Sequence, residues 1–344
     1  MEGVEKEKIT IACFGGAWPT NIGNSFVDLG SIQSLRMAAP NGTVNFASGF
    51  PRWLFGIHGR SAKDRLLIRL AGGLPEWIRR IPSRETKDKV LKKVSSKVEY
   101  CFDLINAIES DYVVFSGMSL RERFIGFFGP VFSKLKEREV RVVINGAGGE
   151  TYSSREIGEF RKFLKAIGPY AFISRDEPSF RNYEDLARYS HNGIDCGFFI
   201  SESFTPAKLE LPKYVILNFD GRQEPRFRTD MLVLRTHHSC WPPWLPKAHL
   251  SRPNTLISDS PDDYLNLYAN AEEIHSDRVH ACVAGLSFGR PCRLYAEKLS
   301  ASLFDKVGAT TIRGELTCPD TKEIEKEKEK QVRFLSEMLS SKSR

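Results

Sequence analysis

The chain has 344 residues, of which 41% are hydrophobic and 27% charged, with a formal net charge of +7. That composition is typical of a globular protein and excludes a fibrous or largely disordered one, and the length accommodates two domains of ordinary size. No apolar run approaches the roughly 20 residues that a membrane-spanning helix needs, which excludes a helical integral membrane protein.

The first half of the chain alternates short apolar strands with helices. Strands are predicted at residues 9–14, 43–47, 111–115, 141–144 and 170–173, and helices at 25–38, from 117 to about 138, from 153 to about 166, and after Pro178. The pair Ser153 and Glu156 predicts a capping box at the third of these helices. Apolar strands separated by helical stretches indicate a parallel sheet that is covered on both faces.

The same alternation begins again after His191-Asn192-Gly193. Strands are predicted at 214–219, 231–236, 254–258, 273–274 and 292–295, and helices at 261–270 and 278–288. We therefore predict an N-terminal Rossmann-like domain at 1–195, a C-terminal one at 196–320, and a charged helix at 321–344 that packs back on the body. Because ligands of open α/β sheets bind at the carboxyl ends of the strands, the cleft between the two domains is the expected site.

Residues 51–100 form a basic insertion in the first domain, with 13 Lys/Arg and five Asp/Glu among interleaved apolar residues. Such a surface suits anionic lipid, a lipid-linked phosphorylated acceptor or nucleic acid. Ordinary surface helices with basic outer faces are the alternative. No nucleic-acid motif accompanies the charge, so nucleic acid is not expected, whereas peripheral contact with the inner face of an anionic membrane remains open.

The seven cysteines are scattered along the chain, and no two form a Cys-x-x-Cys pair. Cys13 and Cys282 lie in apolar runs, so buried, reduced thiols are the simplest interpretation. The charged N-terminus leads directly into the first predicted strand and does not resemble a secretory signal. Together these features predict a cytoplasmic protein.

The most informative segment is the small, apolar helix predicted at 278–288, which opens with polar residues. Its N-terminus offers backbone N–H groups and a positive dipole end that favour an anion. Arg278 adds a planar fork for phosphate or carboxylate, and His280 adds a proton donor or acceptor. In the alternative, Asp277 caps the helix and pairs with Arg278, and His280 is a core residue. An arginine and a histidine two residues apart at an apolar helix mouth favour a functional site.

Four segments, in chain order, resemble the polysaccharide pyruvyl transferase family. Residues 20–24 (Thr-Asn-Ile-Gly-Asn) resemble its Asn-x-Gly-Asp loop, and 111–117 form an apolar strand that ends in glycine. Residues 174–179 are similar to its Arg-Asp-x-x-Ser motif. Residues 276–291 are similar to its Ser-x-Arg-x-His…Gly-x-Pro signature, which is fairly specific. The resemblance implies a glycosyltransferase-B-like pair of Rossmann domains.

The resemblance also implies an activity, the transfer of pyruvate from phosphoenolpyruvate onto two hydroxyls of a saccharide or lipid-linked saccharide to give a cyclic ketal. His280 and Arg278 are the implied catalytic residues. The implied donor-binding residues are Asn21, Gly23, Asn24, Gly117, Arg175 and Ser276. No cofactor and no metal are expected.

Two further segments have weaker interpretations. The sequence His237-His238-x-Cys240 superficially suggests a metal site, but no second cluster completes a tetrahedral set. Residues 145–149 are rich in glycine but lack the G-x-G-x-x-G spacing, so NAD binding is not expected. Asn24 stands where the family often has aspartate, and because an amide cannot act as a base, its role is limited to hydrogen bonding or capping.

Two other functions remain open on the sequence. The same architecture serves glycosyltransferases that use a nucleotide-sugar donor. A non-catalytic, sugar-binding relative with this fold is the third hypothesis.

Overall fold

The computed structural model describes residues 8–16, 18, 21–48, 108–120, 122–149, 151–226, 228–239, 252–296 and 299–341. The basic insertion at 51–100, on which the predicted membrane contact depends, lies outside this part of the chain. Among the described residues, no helix combines the length and the apolar composition needed to cross a membrane.

The first sheet has six parallel strands in the order β2-β1-β3-β4-β5-β6. Its strands are β1 Thr10–Gly15, β2 Thr43–Ser48, β3 Tyr112–Ser116, β4 Arg141–Ala147, β5 Ala171–Ser174 and β6 Tyr189–Asn192. The central strands are buried along most of their length. This burial explains why they are apolar runs without a polar face.

Where the connections lie within the described residues, helices join consecutive strands, as the parallel arrangement requires. They are α1 Gly23–Ala38, α2 Glu122–Glu137, α3 Ser154–Ile167 and α4 Glu177–Tyr183. The predicted cap of α3 is half confirmed, because the Ser153 side chain accepts the Glu156 N–H at 3.2 Å. The Glu156 carboxylate also accepts from the Thr151 hydroxyl.

The second sheet has five parallel strands in the order β11-β10-β7-β8-β9. Its strands are β7 Tyr214–Asn218, β8 Leu232–Thr236, β9 Thr255–Leu256, β10 Glu273–Ser276 and β11 Cys292–Leu294. In the described part of the chain, the α-helices that follow β6 are α5 Ile200–Ser203, α6 Pro261–Asn270, α7 Val279–Ser287 and α8 Thr321–Ser340. The prediction of an α/β fold with parallel sheets is confirmed.

Helix α1 connects the two sheets through a shared core. Ile22 and Phe26, at its N-terminal end, pack in the same apolar cluster as Tyr268 and Val283 of the second half. Helix α8 returns to the first sheet, where the Gln331 side-chain amide donates to Asn145 Oδ1 at 3.1 Å. The carboxyl ends of both sheets are therefore held against one another by packed elements.

Two elements of the first sheet differ from the prediction. Strand β6 was not predicted, because its sequence Tyr-Ser-His-Asn is polar and its residues are only half-buried. Strand β4 continues to Ala147 through residues predicted as a loop. Its backbone keeps pairing with β5 across a register shift between Asn145 and Ala147, where Gly146 has a φ of 75°.

A buried carboxyl group supports the loop that follows β1. Asp28 on α1 is 4% exposed, and its Oδ2 accepts the Gly16 N–H at 2.9 Å and the Trp18 Nε1–H at 2.6 Å. Burial raises the pKa of Asp28 to about 7, although both hydrogen bonds lower it. Asp28 therefore keeps its proton to a higher pH in the folded protein than in the unfolded chain.

The effect of Asp28→Asn on the free energy of unfolding is expected to depend on pH. Relative to the natural protein, the substitution should be more favourable at pH 8 than at pH 5 by about 1 kcal/mol or more. The unfolded carboxyl titrates near pH 4 and the folded one near pH 7. Between these values the native state binds the additional proton, so the Asp28 contribution to stability falls as pH rises through this window. Urea unfolding at both pH values measures the difference, with the exposed Asp262→Asn as control. An equal effect of Asp28→Asn at both pH values would contradict the prediction.

Candidate active site

Ser276 and Arg278 lie where β10 passes into α7. The Ser276 hydroxyl accepts the Arg278 N–H at 2.8 Å and lies 2.9 Å from Asn218 Oδ1 on the neighbouring strand. Ser276 is fully buried, and these bonds fix the direction in which the chain enters the helix. Among the described residues, no side chain caps α7, so its first turn keeps the positive dipole end that favours an anion.

Arg278 pairs with Asp220, and Asp277 does not pair with it. Arg278 Nε lies 3.3 Å from Asp220 Oδ2, and the arginine side chain is 30% exposed. Asp277 instead accepts three backbone N–H groups, from Asp220, Gly221 and Arg222, at 3.0, 2.8 and 2.7 Å. The alternative in which Asp277 caps α7 and holds Arg278 is therefore wrong, since Asp277 organises the loop after β7.

Asp220 is a buried carboxylate that holds Arg278 and the loops after β7 and β8. Besides Arg278, its carboxylate accepts the Ser239 N–H at 2.9 Å and lies 3.2 Å from His237 Nδ1. Burial raises the pKa of Asp220, but the hydrogen bond with His237 and the nearby Arg278 and His238 lower it by more, so the net pKa lies below the usual range.

In the part of the chain that the structure describes, no three His, Cys, Asp or Glu side chains form a metal-binding group. Cys240 of the weak metal pattern lies outside that part.

A second buried carboxylate, Asp195, connects the two halves of the site. Its Oδ2 lies 2.8 Å from Arg175 Nη1, after β5, and 3.8 Å from His280 Nε2, in the first turn of α7. The second distance exceeds a hydrogen bond but permits charge attraction. Burial raises the pKa of Asp195, while His280, Arg175 and the Gly197 N–H lower it more and hold it well below the usual range. Asp195 is therefore a carboxylate.

The loop after β1 lies directly against α7. The Asn21 Oδ1 accepts the Gly23 N–H at 3.1 Å, and the Asn24 N–H donates to the Asn21 carbonyl at 3.0 Å. A Cβ atom on Gly23 would lie 2.7 Å from His238 Nδ1 and 3.0 Å from the His280 Cβ. Only glycine permits this approach, which places the predicted residue Gly23 beside His280, and Asn21 lies beside Gly23.

Gly117 is placed differently. It has a φ of 54°, a Cβ there would lie 2.3 Å from a Val27 methyl group, and its N–H donates to the Asn145 carbonyl at 2.8 Å. These contacts close the turn after β3. Among the described residues, they do not join Gly117 to Arg175, Arg278 or His280.

Unpaired polar atoms mark the same region. Four buried atoms there have no hydrogen-bond partner among the described residues: Arg175 Nε, Asp176 Oδ2, His238 Nδ1 and His280 Nε2. Buried polar groups without partners are rare and cost about 1–3 kcal/mol each. Their concentration around the carboxyl ends of both sheets therefore indicates a functional site.

Three residues of this arrangement escaped sequence reasoning: Asp195, Asp220 and His238. Asp220 stands directly after a predicted strand, which is a signal that could have identified it. Asp195 follows β6, the strand that was not predicted. His238 was considered only as part of a weak metal pattern.

Solved structures with similar folds include two from bacteria. The S. aureus MnaA–UDP co-structure matches with a TM-score of 0.52 and 12% identity, over 96% of this chain and 91% of that one. A UDP-N-acetylglucosamine 2-epimerase from Rickettsia bellii matches with a TM-score of 0.50 and 13% identity, over 96% and 94%. These likenesses show the fold alone, and they confirm the glycosyltransferase-B-like class.

Comparison with curated protein sequences gives no match. The family model described as "Polysaccharide pyruvyl transferase" matches residues 25–298, which is most of the chain. The match spans Arg175, Asp195, Arg278 and His280. The chain belongs to the polysaccharide pyruvyl transferase family.

Proposed function

We propose that this protein transfers a pyruvyl group from phosphoenolpyruvate to two hydroxyls of a saccharide, forming a cyclic ketal and releasing phosphate. Family membership supports a transferase of this kind. The observation that carries the proposal is the cluster of Arg175, Asp195 and His280, which joins both halves at the carboxyl ends of the sheets. Arg278 lies in the adjacent turn.

The reaction requires two proton transfers and the departure of an anion. The first saccharide hydroxyl loses its proton as its oxygen forms a bond to C2 of phosphoenolpyruvate, while one proton adds to C3 and converts the methylene into a methyl group. The bond between C2 and the phosphate oxygen then breaks, and phosphate leaves with the electron pair. The second hydroxyl oxygen bonds to C2 and loses its proton, which balances the charge on the phosphate.

The residues suit these steps in different ways. His280 is the group that can move a proton, and its Nε2 is directed toward the Asp195 carboxylate. The Arg278 side chain is 30% exposed, and its guanidinium suits the phosphate or carboxylate of the donor. Arg175 is 11% exposed and already held by Asp195. We assign it to donor binding through the charge that it places beside the site.

The acceptor is assigned by class only. Family membership supports a saccharide. A lipid-linked saccharide and peripheral contact with an anionic membrane are predicted from residues 51–100, which lie outside the described residues. A cytoplasmic location is predicted from the scattered cysteines and the charged N-terminus, and all three statements stay predictions.

Ligand-dependent melting separates this function from the alternatives. Phosphoenolpyruvate is expected to raise the melting temperature, with a stabilisation of about 2.7 kcal/mol at a hundredfold excess over Kd. UDP is expected to leave it unchanged, because the proposed site recognises a small, highly charged anion. Stabilisation by UDP alone would favour the glycosyltransferase with a nucleotide-sugar donor. No response to either ligand would favour a non-catalytic relative.

A further inference from the structure

A row of buried polar side chains crosses the carboxyl end of the second sheet. Asn218 pairs in register with Thr236 on one side and with Ser276 on the other. Asn218 Nδ2 donates to the Thr236 carbonyl at 2.9 Å and to Thr236 Oγ1 at 3.0 Å. Because a carbonyl oxygen only accepts, these bonds fix the orientation of the amide and make Thr236 Oγ1 an acceptor from Asn218.

The direction of the remaining hydrogen bonds follows from this. The other neighbour of Thr236 Oγ1 is the Tyr268 hydroxyl, at 3.0 Å. Either hydroxyl can donate across this contact, and donation by Thr236 gives its buried proton the one acceptor left to it among the described residues. Tyr268 in turn lies 2.6 Å from His238 Nε2, and with Thr236 as its donor it directs its own proton to Nε2. His238 Nε2 accepts, so in a neutral ring the proton resides on Nδ1.

His238 is suited to remain neutral. The side chain is 4% exposed, and its burial lowers the pKa to about 3, against the attraction of Asp220. Its ring also meets the Phe26 ring edge-on, with 5.5 Å between centroids. The tyrosine and the phenylalanine together hold the ring in one orientation, and Nδ1 is left without a hydrogen-bond partner among the described residues.

The fixed face of this ring meets the loop after β1. The Ile22 N–H donates to the His238 carbonyl at 2.9 Å. A Cβ atom on Gly23 would lie 2.7 Å from His238 Nδ1 and 3.2 Å from Asn21 Oδ1. The His238 backbone carbonyl thus holds the loop, and the Nδ1–H group of the ring points toward Gly23. At its other end, the polar row extends through Ser276 to the Arg278 N–H.

We propose that His238 is a positioning residue, a neutral imidazole with its proton on Nδ1 that holds the Asn21–Gly23 loop in register with the start of α7. The inference rests on the proposed function, since it assigns the loop and the helix start to one anion site. A site assembled from both halves binds an anion tightly only if the two parts keep their spacing.

The tautomer is tested first, by NMR of the intact protein labelled with ¹⁵N-histidine and without ligand. We expect His238 to carry its proton on Nδ1 and to stay neutral down to about pH 5. Tyr268→Phe removes the proton donor to Nε2, so the Nε2–H tautomer should appear in that variant. An Nε2–H tautomer in the natural protein would overturn the proposal.

Two substitutions then separate positioning from a general structural role. In His238→Asn, the side-chain amide places an N–H donor near the position of Nδ1. In His238→Gln, the longer side chain places its amide near the position of Nε2 and keeps only the contact with Tyr268. We expect His238→Gln to raise KM for phosphoenolpyruvate and Kd for inorganic phosphate about tenfold, which is about 1.4 kcal/mol. We expect kcat to change less than about threefold, and His238→Asn to stay near the natural values.

Equal KM and Kd in the glutamine variant and the natural protein would overturn the inference, as would an equal loss of kcat in both variants. If the natural protein binds neither phosphate nor phosphoenolpyruvate, the proposed function fails and the inference fails with it. If the natural protein binds both ligands and only the variants behave unexpectedly, the inference alone fails.

Discussion

Replacing His280 with glutamine lowers kcat for phosphate release from phosphoenolpyruvate by about 10²–10⁴-fold, the usual contribution of a general acid or base. An amide keeps hydrogen bonding but cannot take up and return a proton. The ring lies in the first turn of α7, 16% exposed, with Nε2 3.8 Å from the Asp195 carboxylate. That carboxylate can orient the imidazole and stabilise its charged form during the reaction.

The comparison requires a histidine outside the site. His275 on β10 is buried, with Nε2 3.1 Å from Glu273 Oε2, and His275→Gln is expected to keep kcat within about twofold. Urea unfolding of both variants separates loss of catalysis from loss of fold. Near-normal phosphate release by a folded His280→Gln protein would remove His280 from the mechanism.

Arg278→Ala is expected to lower kcat/KM by about 10²–10³-fold, or roughly 3–4 kcal/mol, because it removes the cation that binds the donor anion and that pairs with the buried Asp220. Asp220 keeps the Ser239 N–H and the contact with His237, so its loop should persist. Arg278→Lys retains the charge but not the planar fork, and an intermediate loss of about tenfold is expected.

Arg290 provides the matched control for Arg278. It lies after the opposite end of α7, where its Nε donates to the Ala269 carbonyl at 2.7 Å. Arg290→Ala should leave kcat/KM within about twofold. Steady-state kinetics with varied phosphoenolpyruvate distinguishes the two positions, and equal losses at both would mean that Arg278 acts through the stability of α7 only.

The sequence predicted the parallel α/β architecture because its central strands are short apolar runs between helices. It missed β6, whose polar residues lie at the edge of the sheet. It also ended β4 too early, since glycine at 146 resembles a turn residue. The local sequence pattern does not predict these two strand segments, because both are formed by backbone hydrogen bonding to β5.

Without the family resemblance, the site was predictable only where its residues are close in sequence. Arg278 and His280 stand two positions apart at a helix start, which is a local signal. Asp195 and Asp220 meet them through loops that are distant along the chain. The pairing of Arg278 with Asp220 in place of the adjacent Asp277 follows from the three backbone N–H groups that Asp277 accepts. Only the folded structure shows that these backbone N–H groups, and not Arg278, bind the Asp277 carboxylate.

Product analysis tests the transfer of pyruvate most directly. The protein is incubated with phosphoenolpyruvate and a panel of mono- and oligosaccharide glycosides, and phosphate release and saccharide mass are measured together. We predict that an acceptor gains the mass of pyruvate less one water, with one phosphate released for each product, and that His280→Gln forms both at least about 100-fold more slowly. Transfer of a sugar from a UDP-sugar with phosphoenolpyruvate left intact would contradict the proposed reaction.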